Sequence, residues 1–365
     1  MKAGYAVTAI DAFADVQTVA AAEKVIVVAY GKQGFDADAL LAALDGLDLS
    51  QFIGVACGSG FEAQPELLVS ISAKLPLIGN SADTVAAVKT PAVFFAALQQ
   101  LNINHPGVCH ALPDEHANDY LLKLAGGSGG AHIRSADSHE CMLEHNYYYQ
   151  QKIDGQPVSL LFLANKHDIE VIGFNEQWLD PAADAPYRYG GAASNVKLST
   201  GVQQQLIDAA RKLTREFSLQ GLNSLDAIVE AVNSEQVFVL EINPRLSATV
   251  DLYSCAKLNL LRRHVEFSSE LCLSVHDLSR QDADQSSSQF KAHAIVYAAA
   301  ETTLPASFTW PDWVTDTPLL GENVVTISAG APVCSVYAHA DSAEAAKKIA
   351  QSRVKLIQNL LQSFH

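Results

Sequence analysis

Residues able to do chemistry gather at the end of one strand-like stretch, "VFVLEINPRLS" (237–247). Its apolar start runs into Glu241, Asn243, Pro244 and Arg245, where a strand built only for packing would stay apolar or end in a neutral turn. The preceding stretch, "LNSLDAIVEAV", adds Asp226 and is joined to it by the turn "NSEQ" (233–236). If Val232 pairs with Val237 across that turn, Asp226 falls opposite Asn243 and Ile228 opposite Glu241. Side-chain alternation then puts Asp226, Glu241 and Asn243 on one face. Two carboxylates and an amide oxygen gathered there repel one another unless a cation neutralises them. Hard oxygen ligands with sites left for water and phosphate suit Mg²⁺, or Mn²⁺ in its place. An ordinary hairpin with solvent-facing acids carries the same pattern. Arg245, just past Pro244, can steady a phosphoryl group or an anionic intermediate.

A second group lies in "KLAGGSGGAHI" (123–133), where Gly126, Gly127, Gly129 and Gly130 surround Ser128. The amides of such a loop can close over phosphate oxygens, and Lys123, at the end of the preceding strand, is placed to meet the same anion. No G-K-[ST] follows, and the loop joins two strand-like segments, so neither a Walker loop nor a dinucleotide fingerprint fits. Lys89 is the third signal, just ahead of a helix break at Pro91. A glycine-rich turn or a lone lysine is commonplace; these gain weight from company.

The elements that must position these residues follow from pattern. "YAVTAID", "EKVIVVAY" and "FIGVACG" read as short buried strands, with helices "DADALLAALDGL" and "QPELLVSISAKL" around them. This βαβ order predicts a parallel α/β sheet through about residue 80. "SADTVAAVKTPAVFFAALQQLNI" reads as helix broken at Pro91, with Phe94, Phe95 and Leu98 on one side. The tract 145–179 reads as at least three antiparallel strands with turns at Asp154-Gly155 and Asn165-Lys166-His167. "VQQQLIDAARKLTREFSLQG" is an amphipathic helix with Leu206, Ala209, Leu213 and Phe217 on its stripe and Gly221 just past its end. The last helix, 342–364, is expected to turn Ile349, Leu356, Leu360 and Phe364 inward. The only plainly loop-like polar tract is "RQDADQSSSQ" (280–289).

Bulk properties narrow the function. With 49% hydrophobic and 18% charged residues over 365 positions, the chain reads as a soluble globular protein of two or three domains. No apolar run is long enough to cross a bilayer, and the start lacks a signal-peptide layout, so a cytoplasmic location is expected. A net charge of −16 argues against nucleic acid or an anionic membrane as main partner, while leaving an anionic nucleotide open. Cys57, Cys109, Cys141, Cys255, Cys272 and Cys334 form no C-x-x-C pair and are expected to be buried thiols. The twelve histidines show no H-E-x-x-H grouping, so a structural zinc site is not expected.

The order of Lys89, Lys123 with its glycine loop, strands, Asp226 and then Glu-x-Asn-Pro-Arg resembles the ATP-grasp superfamily. The resemblance spans nearly the whole chain, and "LEINPR" is its most specific part. It implies an ATP-grasp fold, α/β and α+β, with an N-terminal parallel α/β domain. The implied divisions are 1–80 for that domain, 81–120 for a linker helix and central subdomain, and 121–155 for the glycine-loop lobe. The C-terminal grasp lobe with the metal site would take 156–275, and 290–365 would complete the fold. By the same resemblance Lys89, Lys123, Gly127, Ser128, Gly129 and Gly130 would meet ATP phosphates. Backbone groups of Lys152 and Ile153, in the hinge "QQKID", would bond adenine. Asp226, Glu241 and Asn243 would hold Mg²⁺, and Arg245 would act at the transferred phosphate.

"GYAVTAIDAFADVQT", "GSGFE", "PLIGNS", "NINHP", "VYAAAETTLPASFTWPDWVTD" and "GAPVCSVYA" further resemble the carboligase subgroup that includes the tyramine–glutamate ligase of methanofuran-type cofactor biosynthesis. That subgroup carries an extra strand before "AGY", expected to be missing here, and an acid where the hinge has Gln151. The implied reaction is amide formation between a carboxylate, glutamate by resemblance, and a tyramine-like, tyrosine-like or glutamyl amine, through an acyl phosphate with release of ADP and phosphate. Tyr187, Arg188 and Tyr189 are candidate substrate contacts, with an aromatic loop packed on the core as the equal alternative. Expected partners are these small molecules, with a homodimer left open. The rival readings are another ATP-grasp ligation or carboxylation, and a nucleotide-binding protein without turnover.

Overall fold

The computed structural model describes residues 3–31, 34–112, 117–136, 146–232, 235–253, 259–268, 290–320 and 324–364. Cys141, Cys255, Cys272, the 280–289 tract and two residues of the 233–236 turn lie outside the described residues.

The N-terminal region follows βαβ order. Strand β1 (Thr8–Asp11) pairs in parallel with β2 (Lys24–Val27), and α1 (Val16–Ala21) lies between them, capped by Asp15. A small ribbon, β3 (Tyr30–Gly31) with β4 (Gly34–Phe35), leads into α2 (Ala37–Asp45). Strands β5 (Val55–Ala56) and β6 (Leu77–Ile78) form a second parallel pair around α3 (Pro65–Ser72). Instead of one parallel sheet, the described residues form two separate two-stranded ladders. Their residues are half-buried or exposed, because the helices supply the core: Leu40, Leu44, Leu67 and Ile71 form its buried centre with Val28.

The next stretch breaks at Pro91. Helix α4 (Ala82–Lys89) is capped by Ser81, whose side chain accepts from the Thr84 amide, and ends at Thr90 in extended geometry. A residue before proline disfavours helical backbone, and proline is accepted at a helix start, so α5 (Pro91–Gln100) begins at once. Lys89 is thereby held in the last turn of α4, where the helix dipole favours a cation. Phe94, Phe95 and Leu98 of α5 are buried.

Two antiparallel sheets follow. The first has the order β7-β10-β8-β9, from β7 (Val108–Cys109), β8 (Tyr120–Leu124), β9 (Arg134–Ser135) and β10 (Tyr147–Gln151). The glycine loop joins β8 to its partner β9. The second sheet begins with β11 (Gly155–Asn165), β12 (Ile169–Leu179), β13 (Tyr189–Ser194), β14 (Gln220–Glu230) and β15 (Val237–Asn243). It is completed by β16 (Phe290–Tyr297), β18 (Val314–Thr315) and β20 (Pro332–Ala340), while β17 (Thr302–Leu304) pairs separately with β19 (Val325–Ile327). Its order is β15-β14-β11-β12-β13-β16-β20-β18. The Asn165–His167 turn closes a hairpin between β11 and β12, as the sequence suggests. Asp154-Gly155 does not close one: it carries the chain from the first sheet to the second.

Helix α6 (Thr200–Phe217) lays Leu206, Ala209 and Leu213 on the second sheet, against Leu160, Phe162, Leu225 and Val239. Its end is set by Ser218 in left-handed backbone (φ 53°), whereas Gly221 lies within β14. Helix α7 (Leu260–Ser268) contributes Leu260 and Phe267 to the other face, with Leu161 and Leu222. The last helix, α8 (Ala343–Leu361), corrects the sequence expectation. Ala343, Ala346, Ala350, Ile357 and Leu361 are buried, while Ile349, Leu356 and Leu360 are exposed at 38–54%. Small residues let the helix approach β16 and β20 closely, so the alanines define the inner face and the larger side chains turn outward. Phe364, expected on the inner face, does pack on this cluster. Of the described cysteines, Cys334 is buried and Cys57 and Cys109 are half-buried.

Candidate functional site

The strand pair β14–β15 carries the oxygen donors, but in a different register from the simple hairpin. Val229 faces Val237 and Ala227 faces Val239; a bulge then leaves Leu240 over, so Asp226 faces Glu241 and Ser224 faces Asn243. Cross-strand partners share a face, so the bulge exchanges faces along β15. Before it, Val237 and Val239 point with Ala227 and Val229 into the apolar layer under α6. After it, Glu241 and Asn243 point the other way, with Asp226, while Ile242 takes the apolar side with Leu225. Unbroken alternation would keep Glu241 on the Val237 and Val239 side, in the apolar layer. The three side chains do share a face, through this bulge and not through the expected pairing of Asp226 with Asn243.

Their contacts are specific. Asn243 Nδ2 donates to Asp226 Oδ2 at 2.9 Å, and Gln177 Nε2 donates to Asp226 Oδ1 at 3.2 Å. Lys89 Nζ lies 3.0 Å from Glu241 Oε2 and 3.2 Å from Asn243 Oδ1. An ammonium thus bridges two of the three expected ligands, which makes this donor set one that takes up a cation. Glu241 keeps 33% of its side chain open to solvent, whereas that of Lys89 is 6% exposed. Two carboxylates and an amide oxygen fit Mg²⁺ completed by water or phosphate; among the described residues no cluster of three or more His, Cys, Asp or Glu offers a rival metal site.

Charge is unevenly shared across this face. Burial and the neighbouring Glu241 raise the Asp226 carboxyl above the usual carboxylate range. Burial would raise Glu241 as well, but Lys89 and Lys123 outweigh it and hold Glu241 low. Lys123, 7% exposed on β8, donates to Gln150 Oε1 at 3.1 Å. Burial pushes its ammonium below the ordinary lysine value, with Glu241 opposing and Lys89 adding to the shift.

A cavity opens between these groups. Phe94, Phe95 and Tyr148 form an apolar wall, and Lys89, Lys123, Glu241 and the glycine loop form the polar one. That combination suits a flat apolar ring system linked to an anionic group. The loop is folded down on its surroundings. Gly126 has φ +71°, and a Cβ there would lie 2.4 Å from the Glu62 carbonyl oxygen; at Gly130, φ +72°, it would lie 2.1 Å from that of Tyr187. Both positions therefore require glycine. The Tyr189 amide donates to Gly129 O at 2.9 Å, fastening the loop to the "YRY" segment.

The other candidates are placed as follows. Lys152 donates its amide to Asp119 O at 2.7 Å, and with Ile153 it forms the crossing between the two sheets. Arg188 is engaged by Asp180 at 2.7 Å and stacks over Tyr297 at 3.8 Å. The Tyr189 hydroxyl meets His293 Nε2 at 2.9 Å. Both side chains are thus tied into the fold. Arg245 forms an ion pair with Glu62.

The sequence pattern gives no role to His132, Gln177 or Glu62, and Gln150 enters it only as part of the hinge "QQKID". His132 lines the cavity beside Gly127, and burial lowers its imidazole to about 4, so it is neutral at pH 7. Its Nδ1 and the Gln150 Nε2 are buried without a hydrogen-bond partner among the described residues. The signal for His132 is its position two residues after the last glycine of the loop; for Glu62 it is a carboxylate two residues beyond a Gly-Ser-Gly turn.

Residues 92–249 match the ATP-grasp domain family. The chain is 22% identical over 199 residues to the arginine-specific large chain of carbamoyl phosphate synthase from Bacillus subtilis, covering 50% of this chain and 19% of that one. It is 24% identical over 109 residues to the tyramine–L-glutamate ligase of Methanocaldococcus jannaschii, covering 30% of this chain and 32% of the relative. Less than a third of either relative is thus spanned. Among solved structures, the L-amino acid ligase of Bacillus licheniformis superposes with a TM-score of 0.66 at 14% identity, covering 91% of this chain and 86% of that one.

Proposed function

We propose that this chain, an ATP-grasp superfamily protein by fold and family match, is an ATP- and Mg²⁺-dependent ligase that joins a carboxylate to an amine. The observation that carries the reading is the convergence of Lys89, Lys123 and Glu241 on one cavity below a glycine loop, with Asn243 bonded to Lys89 and Asp226 bonded to Asn243 beside them. In this reading Lys89 and Lys123 hold the phosphates, and amides around Gly127, Ser128, Gly129 and Gly130 close over them. The Lys152 carbonyl and the Ile153 amide read the base. Asp226, Glu241 and Asn243 hold the metal, which when bound neutralises charge on the outer phosphates.

A carboxylate is a poor acyl donor because oxide must leave. Transfer of the γ-phosphoryl group makes an acyl phosphate, from which phosphate departs when an amine attacks the carbonyl. Catalysis is then mainly positioning and charge neutralisation. Arg245, held by Glu62 just past the end of β15, is the residue assigned to the transferred group. The matched ligases favour amide formation with a glutamate-like acid and a tyramine-like, tyrosine-like or glutamyl amine, with a methanofuran-type cofactor route as the finer proposal. Arg188 and Tyr189 would shape the wall of the acceptor pocket through their packing. The carbamoyl phosphate synthase match favours a one-carbon acyl phosphate as the alternative, and bicarbonate is the one-carbon acid offered to test it.

ADP release is measured with ATP, Mg²⁺, glutamate or bicarbonate, and a panel of amines, with mass spectrometry of the products. ADP formed only when acid and amine are both present, with an amide product, supports the ligase. Turnover with bicarbonate alone favours the alternative, and tight ATP binding without turnover with any acid contradicts both.

A further inference from the structure

The matched family segment begins at residue 92, yet Arg245 is held from outside it. Arg245 Nε donates to Glu62 Oε1, and Glu62 Oε2 accepts from the amides of Gly60 at 2.8 Å and Phe61 at 3.1 Å. Glu62 is 5% exposed and the Arg245 side chain 13%, so both charges are largely withdrawn from water. A buried ion pair is a poor device for stability alone, since apolar residues of similar volume usually serve as well. The grip is also double: Asn80 Nδ2 donates to Pro244 O at 3.0 Å, while Asn80 Oδ1 accepts from the Gln220 amide at 2.9 Å. Two residues of the N-terminal region thus fix the peptide segment that ends β15. The turn bearing Glu62 touches one further part, because Gly126 of the glycine loop lies against the Glu62–Ala63 peptide.

We propose that Glu62 is the positioning residue for Arg245, aiming its guanidinium toward the transferred phosphoryl group and coupling that aim to the seating of the glycine loop at Gly126. This rests on the ligase reading of the site. Glu62 touches no reacting atom; it orients Arg245 from behind and keeps it from pairing with the acids of the metal face. Its contribution belongs to the transferring state and not to the nucleotide ground state.

MgADP and MgADP with aluminium fluoride, a mimic of the transferring phosphoryl group, are titrated calorimetrically into the full chain and into Glu62→Gln, Glu62→Asp, Arg245→Ala and the Glu62→Gln/Arg245→Ala double variant. Wild type should bind the fluoride complex more tightly than MgADP. Glu62→Gln should lose at least tenfold of that preference while MgADP affinity stays within twofold, and the double variant should be no weaker than Arg245→Ala. Glu62→Asp, which keeps the charge, should recover part of the preference and serves as the reporter where Glu62→Gln does not fold. A Glu62→Gln or Glu62→Asp protein with the full wild-type preference, or losses that add in the double variant, overturns the proposal and leaves the ligase reading standing. Absence of MgADP binding by wild type overturns both.

Discussion

At the residue scale the site is a balance of charge around Glu241. Lys89 and Lys123 approach it from an α-helix and from the first sheet, and Asp226 and Asn243 from its own hairpin. Lys123 is buried beside Gln150, and its ammonium is held below the ordinary value by that burial. An incoming anion would offset the cost of keeping the charge there. Lys123→Met, which keeps the volume and removes the charge, is therefore expected to weaken MgADP binding by roughly tenfold or more, the weight of one lost charge-assisted contact. Calorimetry checks this, and wild-type affinity would remove Lys123 from the phosphate assignment. The choice of these residues was legible because charged and polar groups interrupt apolar patterns at 89, 123, 226 and 241–245. Glu62 was not, because its contact with Arg245 spans 183 positions and exists only after the N-terminal region docks.

At the element scale the deciding feature is the extra residue in β15. The bulge absorbs Leu240 and so keeps Glu241 and Asn243 out of the apolar layer under α6 and toward Lys89. Deleting Leu240 removes the extra residue while keeping Val239 opposite Ala227 and Glu241 opposite Asp226, so simple alternation leaves Glu241 on the same face. The variant is expected to keep divalent-dependent nucleotide binding. Calorimetry checks this, and loss of that binding in a folded variant would contradict the role given to the bulge. Pattern reading found the strands, the helix break at Pro91 and the glycine loop, since each has a local cause. It missed the register because a bulge has no signature in alternating apolar residues. It misplaced the inner face of α8 because large side chains were given more weight than Ala343, Ala346 and Ala350, whose smallness is what lets the helix pack.

At the scale of the whole molecule, burial sets a pH dependence apart from the active face. His264 joins α7 to the N-terminal region, accepting from the Leu222 amide at 2.9 Å and meeting Ile78 O at 3.1 Å, and His293 sits inside the second sheet. Burial lowers both imidazoles to about 4. In the unfolded chain they take up protons near 6.5, so the unfolded state binds more protons as pH falls. Their contribution is complete above that value and is lost on descent toward pH 4. Each histidine is expected to cost about 2 kcal/mol by pH 5. Urea midpoints at pH 7 and pH 5 test this, and an unchanged midpoint would contradict it. The larger claim is that two sheets and an N-terminal brace assemble a nucleotide site around one divalent ion. Electron paramagnetic resonance of Mn²⁺ titrated with ADP tests it most directly. One Mn²⁺ per wild-type chain should bind only with nucleotide, and at least 100-fold more weakly in Glu241→Ala at a temperature where that variant is folded. A folded Glu241→Ala protein that binds Mn²⁺ and ADP as wild type does would place the ion elsewhere and contradict the account.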